Sequence, residues 1–383
     1  MNKIGLLAVK THNYGSLLQT YALQKVLDNM GYENEIINYK KTNMLKQAMR
    51  LFNVPLLRQS SAKLKKRLII KTKYRQFESL LQNRSSAFDC FIKENLNFSS
   101  IYKGRNALID ATKLYSCFVL GSDQVWNPMN YGADFFSMTF VPDKICKVAY
   151  APSFGVLHIP RYQRKGTAFY LDRIDYLSVR EKSGQKIIKE LTGRNAPIVA
   201  DPTILLERSC WDMMQGRPII KSPYIMCYFL SNNKKHRNYA KQLRQRTGIK
   251  IVTLPHMDEF VEADIRFGDI VPENIGPKEF VNLISNANYI CTDSFHGTVF
   301  SILYQKKFLT FNRYTDMKSD STNSRLDSIL SICGLMNRKK DSAIATWEDM
   351  VSSIDYTLAL SRLERLRMDS YTYLKHAIEN AGR

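Results

Sequence analysis

The sequence predicts an α/β protein built from two Rossmann-like, doubly wound domains that face each other across a cleft. Three observations carry this. The chain has 383 residues, longer than a single core usually grows, so two domains are the starting expectation. Apolar runs of strand length alternate with helical segments through both halves. Small and polar residues cluster where several of those runs end, which is where open parallel sheets bind ligands. A hydrophobic content of 44% with 24% charged residues fits a globular chain and excludes a disordered one.

The first half opens with a strand at Lys3–Val9, the polar loop Thr11–Ser16, a helix from Leu17 to Met30 and a strand at Glu33–Tyr39. Gly31 suits the C-cap of that helix. The loop lacks GxGxxG spacing, so no dinucleotide fingerprint is present. Residues 41–98 read as a mainly helical, basic insertion. Strands follow at Cys117–Leu120, Lys147–Ser153, Asp175–Arg180 and Pro197–Ala200, with a helix at Ser183–Leu191.

The pattern restarts after a linker at 209–221. Strands are expected at Tyr224–Leu230, Lys250–Leu254, Asn288–Asp293 and Lys307–Phe311, and helices at Lys234–Thr247, Glu279–Asn286 and Ser324–Cys333. Two helices, Trp347–Leu358 and Ser361–Ile378, finish the chain. The expected organisation is a first domain over 1–208, a second over 222–345, and C-terminal helices over 346–383 that pack back on the first.

The formal net charge is +21, and it is uneven: Ile36–Phe77 holds twelve Lys or Arg and no Asp or Glu. Such a block either forms a solvated face or attracts a polyanion. Leu51, Phe52, Leu56, Leu57, Leu64 and Leu68 interleave with the cations, so an amphipathic contact of residues 40–75 with an anionic membrane is the sharper reading. No zinc finger, helix-turn-helix or RNP-like cluster accompanies the charge, so specific nucleic-acid reading is not expected. Seven scattered cysteines without a CxxC pair read as reduced side chains of a cytoplasmic protein, with no metal set. The N-terminus does not read as a signal peptide, and no apolar run approaches the roughly 20 residues of a membrane span.

Candidate chemistry gathers at strand ends. His296 follows the strand ending at Asp293 and precedes a helix, among Ser294, Gly297 and Thr298. Helix-start N–H groups favour anions there; the alternative is a buried histidine bonded to a carbonyl. The run Gly121-Ser122-Asp123-Gln124-Val125-Trp126-Asn127 ends another strand. Trp126 is either a sugar platform, flanked by polar groups for hydroxyls, or a plug in the core. Arg180 is either a clamp for carboxylate or phosphate or a simple ion-pair partner of Glu181.

With these motifs in hand, the chain resembles the polysaccharide pyruvyl transferase family. The resemblance rests on Asn13-Tyr14-Gly15-Ser16 with Gln19, Gly121–Asn127, Ser178-Val179-Arg180-Glu181, Asp201-Pro202-Thr203, the lead-in Gly276-Pro277 with Glu279-Phe280, and Thr292–Gly297. It implies a fold like that of two-domain, GT-B-type glycosyltransferases. It also implies transfer of pyruvate from phosphoenolpyruvate to two hydroxyls of a sugar, as a cyclic ketal, without metal or other cofactor. On this reading His296 is the general acid, its type suited by an ordinary pKa near neutrality. Asp123 is a base or a hydroxyl acceptor. Arg180, Ser294, Gly297 and Thr298, aided by Lys307 or Arg325, hold the donor. Asn13, Tyr14, Gly15, Gln19, Ser122, Gln124 and Trp126 line the acceptor side. Several branches of the family carry Arg two residues before the histidine; here that position is Ser294, so another cation serves the donor or the contact differs. If so, the acceptor is a sugar or lipid-linked oligosaccharide at the inner membrane face. The alternatives are a sugar-nucleotide-dependent glycosyltransferase using the same cleft, or a non-enzymatic scaffold that binds polyanions through the basic block.

Overall fold

The computed structural model describes residues 3–41, 75–130, 135–256, 261–264, 266–313 and 323–382. Most of the basic block, and with it the expected membrane contact, lies outside the described residues.

Two all-parallel sheets organise the chain. The first has strands β1 (Ile4–Leu7), β2 (Asn34–Lys40), β3 (Phe98–Lys103), β4 (Cys117–Leu120), β5 (Cys146–Ala149) and β6 (Tyr176–Leu177) in the order β3-β2-β1-β4-β5-β6. The second has β7 (Tyr224–Tyr228), β8 (Lys250–Thr253), β9 (Tyr289–Thr292), β10 (Lys307–Phe311) and β11 (Lys339–Lys340) in the order β11-β10-β9-β7-β8. Strands β1, β4 and β7 are buried at every position, because helices cover both faces of a parallel sheet. In each sheet the chain reverses direction once, between β1 and β4 and between β7 and β9, and loops part there to leave a crevice.

The two domains share packed surface. Tyr14, at the start of the Tyr14–Asn29 helix, stacks on Phe280 with ring centroids 4.7 Å apart and donates to Ile275 O at 2.9 Å. Buried Arg84, on the Arg75–Asn95 helix, donates to Pro255 O at 2.6 Å. Trp211 packs between Tyr21 and Phe300. The C-terminal helix Tyr356–Glu379 reaches both halves: Tyr356 donates to Lys306 O, and Ser370 Oγ accepts from Ala200 N at 2.8 Å.

Several elements depart from expectation. Phe98–Lys103 is a strand and Gly104–Ala111 a helix, where no element was expected. β3 is an edge strand with Ile101 more than half exposed, so its apolar pattern is weak. The helix Arg161–Asp172 was likewise unforeseen. Pro197–Ala200 is not a strand; Ile198 makes one bridge to Val179. The expected linker contains a helix, Arg208–Gln215. The C-terminal break falls earlier, between Val351 and Tyr356, because Asp355 caps the long helix by accepting from Leu358 N at 3.0 Å.

Candidate active site

The four loops at the two crevices meet in one cavity of about 470 Å³, within the range of small-ligand sites. Thr11, Asn13 and Ser16 come from the end of β1 and Asp123, Gln124 and Val125 from the end of β4. Leu230 follows β7, and Asp293, Ser294, Phe295 and His296 follow β9. Arg313, Asn323 and Arg325 close it from beyond β10.

Behind the first-domain wall lies a buried charge cluster centred on Arg180. Its Nη1 donates to Asp201 Oδ2 at 2.6 Å and its Nη2 to Asp123 Oδ1 at 3.3 Å, while Nε lies 3.9 Å from Glu181 Oε2. Burial opposes the charge on Arg180, but Asp201, Asp123 and Glu181 outweigh it and hold the guanidinium more firmly protonated than usual. Asp201 also accepts from Thr203 N at 3.0 Å and Thr203 Oγ1 at 2.7 Å, as N-cap of the turn starting at Pro202. Ser122 Oγ lies 2.9 Å from Asp201 Oδ2. Burial would raise the Asp201 carboxyl, yet His296, Arg180 and the Thr203 N–H hold it well below the ordinary carboxylate range. Glu181 moves the other way: burial pushes it up, against the pull of Arg180.

Asp123 sits at the cavity wall with φ at 87°, a left-handed conformation unusual for a non-glycine residue. It is pinned by Ser153 N donating to Asp123 O at 2.8 Å and by Gln124 N donating to Asp123 Oδ1 at 2.8 Å. Ser16 Oγ donates to Oδ2 at 2.5 Å. Strain of this kind, about 1–3 kcal/mol, persists where surroundings over-determine the backbone. Burial would raise the Asp123 carboxyl, but Arg180, His296 and the Ser16 hydroxyl bring it below its ordinary value.

His296 crosses from the second domain to this cluster. Its Nε2 lies 3.7 Å from Asp201 Oδ1, inside ion-pair reach and beyond a hydrogen bond, and makes no hydrogen bond among the described residues. The ring rests on Gly15: a Cβ there would stand 1.9 Å from His296 Nδ1. Glycine is required at that position by close approach, not by φ. Ser294 caps the Phe295–Leu303 helix by accepting from Gly297 N at 3.3 Å. Arg325, whose Nε has no hydrogen bond among the described residues, lies 5.9 Å from the Phe295 ring centroid; Arg180 lies 4.8 Å from it. Burial, with Arg180 close by, pushes the Arg325 guanidinium down to about 10, which leaves it charged at neutral pH.

The profile described as "Polysaccharide pyruvyl transferase" matches residues 13–314. The chain belongs to the polysaccharide pyruvyl transferase family. Membership makes it a transferase acting on polysaccharide. The family span contains Asn13, Asp123, Arg180, Asp201 and His296 and stops short of Arg325. No curated protein matches the chain. Among solved structures, it is similar to UDP-GlcNAc 2-epimerase from Neisseria meningitidis (11% identity, TM-score 0.45, covering 100% of this chain and 97% of that one). Similarity also extends to UDP-GlcNAc 2-epimerase from Methanocaldococcus jannaschii (10%, 0.47, 97% and 100%) and to E. coli ADP-heptose lps heptosyltransferase II (11%, 0.39, 96% and 99%).

Set against the residues expected from the family motifs, the structure brings Asn13, Asp123, Gln124, Ser294, His296 and Arg325 to the cavity and leaves others elsewhere. Lys307 is exposed at the start of β10, and parallel strands put their starts at the end of the sheet away from the crevice. Thr298 is buried, its Oγ1 hydrogen-bonded to Ser294 O and Thr310 Oγ1 at 3.0 Å each. Gly297 gives its N–H to Ser294 and lies against Thr292. Tyr14 is committed to the domain interface, and Gln19 donates to Ser16 O and Thr20 Oγ1 inside the first helix. Gly15 serves as the floor of His296, and Ser122 is buried against Asp201. Trp126 is largely buried against Phe154 and Tyr170, with Nε1 donating to Phe136 O at 3.1 Å, and lines a second cavity beside this one. Arg180 is occupied by carboxylates behind the wall. Unassigned at the sequence level were Ser16, Asp201, His256, Arg313 and Asn323. Asp201 carried a usable signal, an Asp cap before Pro; the last three come from distant loops with no local pattern.

No group of three or more metal-ligating side chains occurs among the described residues. Among them, too, no helix is long and apolar enough to cross a membrane. All seven cysteines are free thiols.

Proposed function

We propose that this cavity transfers pyruvate from phosphoenolpyruvate to two hydroxyls of one sugar in a surface polysaccharide or its lipid-linked precursor, giving a cyclic ketal. The observation that carries the reading is His296 facing the Asp201–Arg180 pair across the domain boundary, inside a family of this description.

Two O–C2 bonds form, the C2–O bond to phosphate breaks, one hydroxyl proton ends on C3 and the other leaves with phosphate. Protonation of C3 makes C2 electrophilic. His296, which lines the cavity with its ring fixed between Gly15 and Asp201, delivers that proton. Asp201 orients the ring and Arg180 fixes Asp201, so both are positioning residues. Asp123, held below its ordinary pKa, is a weak base; it suits accepting a hydrogen bond from a sugar hydroxyl. Arg325 and Ser294 hold the donor anion, with Arg325 taking the place of the cation that position 294 lacks. The site reacts from both domains, so closure of the cleft would exclude water during transfer.

Thermal-shift titration tests the donor: a ligand that binds only the folded chain raises its melting temperature. Phosphoenolpyruvate should raise it and UDP-galactose should not. A shift with UDP-galactose alone would overturn the reading in favour of glycosyl transfer.

A further inference from the structure

A second cavity of about 260 Å³ lies between the Pro128 turn and the Arg161–Asp172 helix. It adjoins the site above, since Val125, Asn130 and Phe136 line both. We propose that this trough holds the neighbouring sugars of an oligosaccharide acceptor, so that pyruvylation is directed to a sugar within a chain over a free monosaccharide. The inference rests on the pyruvyl-transfer reading and adds where the rest of the acceptor lies.

The lining has the two-sided chemistry of a carbohydrate. Pro128, Phe136, Phe169 and Tyr170 offer apolar faces for C–H groups, and Asn127 and Thr139 bring polar groups beside them for hydroxyls. Phe169 in the lining is 61% exposed, and Met129 (78%) and Tyr162 (80%) directly follow and precede the lining residues Pro128 and Gln163 in the chain. The geometry also joins the two steps, since Asp123 and Gln124 on one side and Asn127 and Pro128 on the other belong to the same loop.

The test uses the producing strain's own surface polysaccharide, cut by mild acid, which also removes existing ketals, and graded by length. With phosphoenolpyruvate and the full chain, kcat/KM should rise at least tenfold from the monosaccharide fraction to the tetrasaccharide fraction. Phe169→Ala should lower it for the tetrasaccharide by roughly 2- to 12-fold, the cost of removing one ring's packing, and leave the monosaccharide unchanged. Gly166→Leu, which adds a side chain to the helix backbone lining the trough, should do the same. Equal kcat/KM at every length, or a Phe169→Ala loss of equal size at every length, overturns the proposal. A gain seen only with a lipid-linked monosaccharide overturns it in favour of a lipid channel. If no fraction turns over, pyruvyl transfer itself fails. Saturation-transfer NMR of the tetrasaccharide then decides the trough: a transfer signal that disappears with Phe169→Ala supports it, and no signal with wild type overturns it.

Discussion

Gly15→Ala is the sharpest perturbation of this site, since it changes one methyl group and acts on His296 across the domain boundary. The new Cβ would stand 1.9 Å from Nδ1, 2.5 Å from Cγ and 2.6 Å from Cε1 of the ring. Ordinary contact begins at 3.4 Å, so the ring must retreat by about 1.5 Å. A displacement near 1 Å costs about 100-fold in rate when a catalytic group must meet a reacting atom, so kcat should fall at least that far. Alanine is favoured over glycine within helices by about 1 kcal/mol, so the fold itself tolerates the residue. The assay is steady-state phosphate release from phosphoenolpyruvate with depyruvylated polysaccharide, beside a melting curve. Combining Gly15→Ala with His296→Ala should add little to His296→Ala alone, because both remove one function. A folded Gly15→Ala protein turning over within threefold of wild type would refute the placement of His296.

Other expectations follow from the same packing. Asp201→Asn breaks a buried pair and should cost about 3 kcal/mol by urea unfolding, the lower end for such a loss because Asp123 still faces Arg180. The Asp201 carboxyl is held low in the folded chain. Its contribution is therefore fully present above the unfolded value near 3.9 and fades as pH falls toward its depressed folded value; the variant should lose less stability than wild type from pH 5 to pH 2. Arg325→Gln should abolish the phosphoenolpyruvate-induced melting shift while leaving the unliganded melting temperature within a few degrees; an unchanged shift would remove Arg325 from the donor site. Ser370→Ala strips the acceptor from the buried Ala200 N–H and should destabilise the chain by about 1–3 kcal/mol.

Fold class is legible here because parallel strands buried on both faces write themselves as uninterrupted apolar runs, as in IGLL, CFVL and YIMCY. The half-exposed edge strand FSSIYK and the polar helix Arg161–Asp172 carry no such run and went unseen. The rule that ligands gather at strand carboxyl ends points to Asp123 and His296, and both line the cavity. The same rule cannot tell which way a side chain turns after the strand ends. Thr298 therefore looked like a cavity residue and is core. Arg180 looked like a cleft-facing clamp, yet three carboxylates draw it behind the wall. The packing of His296 on Gly15 is invisible in sequence, since 281 positions separate them and only the docking of two domains brings them together.

The most direct test of the central claim is proton NMR of depyruvylated polysaccharide after incubation with phosphoenolpyruvate and either wild type or His296→Ala. The account predicts a ketal methyl signal with equimolar phosphate release from wild type. His296→Ala should form no ketal, although phosphoenolpyruvate still raises its melting temperature. Ketal formed by His296→Ala at the wild-type rate would contradict the account. So would wild type that transfers sugar from UDP-galactose and releases no phosphate from phosphoenolpyruvate.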